Sequence, residues 1–220
     1  MTGEAAPKSA GRPPSLWFGM WLRPRRTVRY WLDVDPTRHT ILFASLSGIE
    51  SGWSNASDRA LGEIYDLPFL LVLAAGAGAL QGVIGLYIAG ALIGLTGRWL
   101  GGASNEAEPR AAFVWSLAPI VWLLPIWCVD IAMFGKSMFI SDFPPFSGPL
   151  EVIAYFGFVA LALVAAAWTI VIMSRAVAEA QGFGAWKGFA NIALAALLFV
   201  AGAVLIGTLL IVTGVLPMPA

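Results

Sequence analysis

Glu50 is the residue whose type and position most suggest chemistry, a carboxyl group near the middle of a mostly apolar stretch from Thr40 to Ser57. A charged side chain at mid-bilayer costs about 2.5 to 3.5 kcal/mol on insertion scales, so such a residue faces a helix bundle or a watery cavity rather than lipid. A carboxyl there can hold a proton, a cation or a substrate, or can serve only as a hydrogen-bonded acid. Gln81 falls at similar depth in the next apolar stretch, and a contact between the two is expected. Asp130 falls near the outer end of a third stretch, where it is expected to reach water. Glu50, Gln81 and Asp130 form the candidate interior polar site. The patterns H-E-x-x-H, G-x-S-x-G and C-x-x-C are missing. Gly135-Lys136-Ser137 looks like the end of a phosphate-binding loop, but Asp130 stands where its first glycine belongs, so the cradle of backbone N–H groups is broken. A single cysteine, Cys128, and a single histidine, His39, leave no disulfide framework and no Cys/His metal cluster. No enzyme activity, cofactor, metal or nucleic-acid partner is therefore expected.

A second set of candidate residues is basic. Ser15 to Asp35 interleaves aromatic side chains with Arg23, Arg25, Arg26 and Arg29. Pro24 suits the first turn of a helix. From there Val28, Trp31 and Leu32 share one face, and Arg25, Arg26 and Arg29 share the other. That pattern predicts an amphipathic helix in a membrane interface, its arginines toward anionic lipid. Each arginine near a charged surface contributes about 1 kcal/mol.

These residues need elements to position them, and the composition says which. The chain has 220 residues, 59% hydrophobic and 12% charged, and its formal net charge is zero. Apolar segments account for most of that, so the expected fold is all-α, one polytopic bundle of five transmembrane helices with an N-terminal interfacial helix. The central element is Leu67 to Gly102, uncharged up to Arg98. It is long enough for one helix to cross about 30 Å of hydrocarbon, and two halves of about 15 residues would each be too short. Gly78–Gly82 and Gly90–Gly94 have the spacing that lets another helix approach closely, and Gly82 and Gly85 are expected at a tight crossing. The other spans are Thr40 to Ser57, about Ala111 to Phe134 with kinks at Pro119 and Pro125, Leu150 to Met173, and Phe189 to Leu216. In the first, Leu42, Leu46, Ile49 and Trp53 form the expected lipid-facing stripe, turning Glu50 inward. Residues 1–14 read as a disordered tail with no cleavable signal peptide, 15–35 as the interfacial segment, and 36–220 as the membrane domain.

Charge placement sets the orientation. With five spans and an inner N-terminus, the inner cations are Lys8, Arg12, Arg23, Arg25, Arg26, Arg29, Arg38, Arg98, Arg110, Arg175 and Lys187, and only Arg59 and Lys136 lie outside. The best four-span arrangement exports Arg98, Arg110, Arg175 and Lys187, so the positive-inside rule favours five. The C-terminus is then outside.

Three inner segments, in this order and spacing, resemble the Yip domain family of Ypt/Rab-interacting membrane proteins, in its bacterial branch. They are Trp21-Leu22-Arg23-Pro24-Arg25-Arg26-Thr27-Val28-Arg29, then Arg98-Trp99-Leu100-Gly101-Gly102, then the linker from Ala178 to Gly188. Arginine outnumbers lysine, in keeping with a bacterial source. The resemblance spans about residues 17 to 215. It implies five helices, a cytosolic N-terminus and residence in the bacterial inner membrane; eukaryotic relatives act with small GTPases in vesicle traffic. The expected function is a scaffold or adaptor. Its cytosolic face, carried by Arg23, Pro24, Arg25, Arg26, Arg29, Arg98, Gly101, Gly102, Arg175 and Lys187, would engage a partner protein or anionic lipid of the cytosolic leaflet. A homo-oligomer is compatible with this reading. The alternative is a small transporter, channel or lipid-translocating protein that uses the Glu50 interior.

Overall fold

The structure, a computed structural model, describes residues 14–141, 146 and 148–213. The expected polar tail up to residue 13, part of the loop before the fourth span and the end of the fifth lie outside the described residues. Within them the elements are helical, with no strand. In chain order they are α1 (Leu16–Leu22), α2 (Pro24–Val34), α3 (Thr40–Asp58), α4 (Leu67–Trp99), α5 (Ala107–Trp115), α6 (Ala118–Val121), α7 (Leu124–Phe134), α8 (Pro149–Gln181) and α9 (Ala185–Val212).

Four helical stretches among the described residues are long and apolar enough to cross a membrane: Leu67–Trp99, Ala118–Phe139, Pro149–Gln181 and Ala185–Val212. The serines, Asn55 and Glu50 keep α3 out of that set. The central stretch is one unbroken helix of 33 residues, rising about 50 Å. The expected third span is different in detail. It begins as α5 and breaks around Ser116 and Leu117, then restarts as α6 and again as α7, with Pro119 and Pro125 each in the first turn of a new helix. A proline cannot donate to the preceding turn, but a new first turn needs no such donor.

Helix α3 packs along the first half of α4 with almost no side chain between the backbones. A Cβ at Gly48 would strike the carbonyl of Gly78, one at Gly52 that of Ala74, and one at Gly82 that of Ala44. The expected tight crossing is therefore present at Gly82. It is absent at Gly85, where a Cβ would meet nothing within 4 Å. Glycines surround this helix, and their spacing alone cannot say which face the neighbour takes. The outward stripe on α3 also needs correction. Leu42 is exposed, but Leu46 packs on the core and the Trp53 indole donates to the Leu71 carbonyl at 3.2 Å.

Two apolar clusters hold the bundle. One gathers Met20, Val28, Phe43, Trp115, Ile172 and Val177 toward the end where α4 and α8 stop. The other gathers Leu70, Trp127, Met138 and Phe139 toward the opposite end. At that opposite end the Ser141 N–H donates to Glu63 at 3.0 Å. Hydrogen bonding from Ser141 holds the Glu63 carboxyl below its ordinary range.

Candidate functional site

The N-terminal arm is built by a joint at Arg23. That residue closes α1 and precedes α2, which Pro24 opens. Pro24, Thr27, Val28 and Trp31 recur at helical spacing and are buried, while Arg23, Arg25, Arg26 and Arg29 are exposed. Thr27 Oγ1 donates to the Arg23 carbonyl at 3.0 Å, and the Trp31 indole donates to the Pro14 carbonyl at 2.8 Å. The buried face lies on α8. From the other face, Arg29 Nε reaches Glu179 near the end of α8 at 2.9 Å. Arg29 is 61% exposed, so this ion pair contributes at most about 1 kcal/mol. It fixes where the arm sits more than how tightly it is held. Past α2, Thr37 donates to the Asp35 carboxylate through its hydroxyl at 2.7 Å and its N–H at 2.9 Å, which holds that carboxyl below its ordinary range.

The exits of α4 and α8 share one geometry. At α4, Gly101 adopts a φ of +86°, its N–H donates to the Arg98 carbonyl at 3.1 Å, and the Gly102 N–H donates to the Gly97 carbonyl at 2.8 Å. At α8, Gly182 adopts a φ of +74°, and the Phe183 N–H donates to the Ala178 carbonyl at 2.7 Å. Both are helix ends closed by a left-handed glycine and a six-to-one hydrogen bond. The second glycine of the α4 pair has another task. The Gln181 side chain lies where a Cβ on Gly97 or Gly102 would sit, and its amide donates to the Ile93 carbonyl at 3.3 Å. In the second turn of α9, buried Asn191 receives the Thr96 hydroxyl. Gln181 Oε1 and Asn191 Nδ2 have no partner among the described residues.

Three segments far apart in sequence therefore meet at one end of the bundle. The first carries Arg23, Pro24, Arg25, Arg26 and Arg29; the second Arg98, Gly101 and Gly102; the third Arg175 and Lys187. Arg98, Arg175 and Lys187 are exposed, and Lys187 Nζ stands 5.7 Å over the Phe183 ring. The arrangement offers spread positive charge on a polar rim. Among the described residues no group of three His, Cys, Asp or Glu could hold a metal ion. Sequence reading places Gln181, Asn191 and Arg110 at this end but does not foresee the contacts of Gln181 with Gly97 and Gly102 or of Asn191 with Thr96. For Gln181 the available signal was a glutamine before a helix-ending glycine.

The interior residues do not form one site. Glu50 and Gln81 line a common groove of about 610 Å³ between α3, α4 and α9. Among the described residues no hydrogen bond joins them, and Gln81 sits exposed on the groove rim. The Trp127 indole donates to Glu50 at 3.4 Å instead. The groove walls are otherwise mainly apolar, including Ile88, Leu92, Phe113 and Phe199. Asp130 lies elsewhere and does not reach water: it is 3% exposed, and its Oδ2 has no partner among the described residues. The short 3-10 helix at Gly135–Phe139 packs on α7, with the Phe139 ring stacked 6.2 Å from that of Trp127.

Compared with known proteins, residues 18–208 match the family model of the Yip1 domain. The match takes in all three segments that converge at the basic end. No curated protein and no solved structure matches the chain.

Proposed function

The chain belongs to the Yip1 domain family, and from that premise we propose that it is a non-enzymatic membrane scaffold whose basic end engages a partner protein or anionic lipid. In this reading α3 is a fifth span. Its 19 residues rise about 28 Å, close to the hydrocarbon thickness of about 30 Å. The basic end and the N-terminus are cytosolic, the C-terminus is on the outer side, and the membrane is a bacterial inner membrane. Residues 15–35 form an interfacial arm on a membrane domain of residues 36–220. The arm's exposed Phe18 and Leu22, beside exposed Arg25 and Arg26, suit a helix half in the acyl boundary.

The observation that carries the reading is the meeting of the three basic segments on one surface, tied by Arg29 to Glu179 and by Gln181 between Gly97 and Gly102. Affinity purification in mild detergent tests it, using wild type beside the Arg25→Gln/Arg26→Gln variant. A protein recovered with wild type and lost from the variant supports the scaffold. Recovery unchanged by the variant removes this face from the interaction.

A further inference from the structure

Arg110 is held in place by more than its own helix. The Gly90–Gly94 spacing on α4 receives the first turn of α5. A Cβ on Gly90 would collide with Arg110 Cγ, and one on Gly94 would meet Pro109 at 3.7 Å. The arginine stem thus lies in a slot that only glycine leaves open. Its Nε donates to the Glu106 carbonyl at 2.9 Å, and its guanidinium carbon stands 5.3 Å from the centre of the Tyr87 ring. Arg110 borders a cavity of about 290 Å³ that Arg98 also lines. Neither arginine has a carboxylate within 4.0 Å among the described residues. Glu106 borders the same cavity without pairing with either. The neighbouring Glu108 carboxylate is occupied by the Asn105 amide at 2.7 Å. Arg110, positioned by the glycine slot, and Arg98 beside it, neither paired with a carboxylate, can receive an oxyanion that takes paired N–H donors, and phosphate has that geometry.

The surroundings say where the phosphate comes from. Helix α4 has 33 residues and rises about 50 Å, so its last two turns pass beyond a hydrocarbon core of about 30 Å and into the headgroup layer. From the cavity an exposed stripe runs back along α4 through Ala91, Tyr87, Ile84 and Leu80 at helical spacing. Ala91 to Leu80 spans about 16 Å, the depth of one leaflet's hydrocarbon. We propose that the Arg98–Arg110 cavity binds the phosphate of a membrane glycerophospholipid, with an acyl chain laid along the Tyr87–Ile84–Leu80 stripe. The proposal rests on the reading of this end as the one in the headgroup layer, but it uses residues apart from the N-terminal arm.

Delipidated full-length protein in mild detergent tests it, with binding followed by native mass spectrometry. Phosphatidylglycerol offers phosphate and chains, a diacylglycerol with the same chains offers no phosphate, and glycerol 3-phosphate offers no chains. Phosphatidylglycerol is expected to bind most tightly. Arg98→Gln and Arg110→Gln are each expected to weaken it about tenfold. The glutamine at 110 keeps the methylenes that fill the Gly90 slot, and Arg98 is exposed, so one variant remains informative if the other misfolds. The loss caused by Arg98→Gln or Arg110→Gln should be as large in an Arg25→Gln/Arg26→Gln background as in wild type, which separates this cavity from any lipid or partner held by the N-terminal arm. Equal binding of the diacylglycerol, or no effect of either single variant, overturns the site. Glycerol 3-phosphate bound as tightly as phosphatidylglycerol overturns its assignment to lipid.

Discussion

Gln181 shows how one side chain can explain a motif that belongs to another helix. The paired glycines after α4 read in the sequence as a helix exit, and the first of them is that, with its positive φ. The second, like Gly97 before it, is glycine because the Gln181 amide fills the place of its side chain. Nothing near residue 102 announces a partner about 80 positions away, so only the exit was legible. A methyl at Gly97 is expected to displace that amide at about 1 to 3 kcal/mol, more than the helix propensity of alanine returns. In a Gly97→Ala and Gln181→Ala double-mutant cycle, thermal unfolding in detergent should show a coupling of about 0.5 to 3 kcal/mol, the alanine at 97 costing less once Gln181 is gone. Additive effects would mean that the amide does not occupy this space in solution. Glu50 and Asp130 illustrate the opposite failure. Their positions within apolar stretches were readable, but which helix faces them was not, and the indole of Trp127 took the place expected for Gln81.

Among elements, the helices were legible because apolar length and proline placement act locally. The faces of α4 were not, because its small residues lie all around it. Three different neighbours use them: α3 at Gly78 and Gly82, the first turn of α5 at Gly90, and the end of α8 at Gly97. Gly85 opens onto the groove instead. The two glycines three residues apart should therefore respond in opposite ways. Gly82→Leu is expected to overpack the α3 crossing and lose about 1 to 3 kcal/mol, while Gly85→Leu finds open space and gains roughly 1 kcal/mol of helix propensity. Melting of the two variants in detergent checks this, and equal losses would show that the second glycine is also buried against a helix.

At the scale of the whole molecule, the cations give an expected orientation by counting alone, with no contact needed. The sequence did not carry the way three basic segments close on one another, which depends on Gln181 and Arg29. The span count turns on α3, the helix with the most polar residues in the membrane region. With Cys128 replaced, Thr37→Cys and Glu63→Cys are expected to react with a membrane-impermeant thiol reagent from opposite sides. Labelling of both from one side would leave α3 on the surface. The backbone-to-backbone seam between α3 and α4 then bears on how the chain is made. Glu50 and the serines make α3 a poor substrate for insertion when it first leaves the ribosome, and only a seven-residue turn from Arg59 to Tyr65 separates it from the residue that caps the strongly apolar α4. The two would enter the bilayer as a hairpin, with α3 waiting at the insertion machinery until α4 is synthesised and can carry it in.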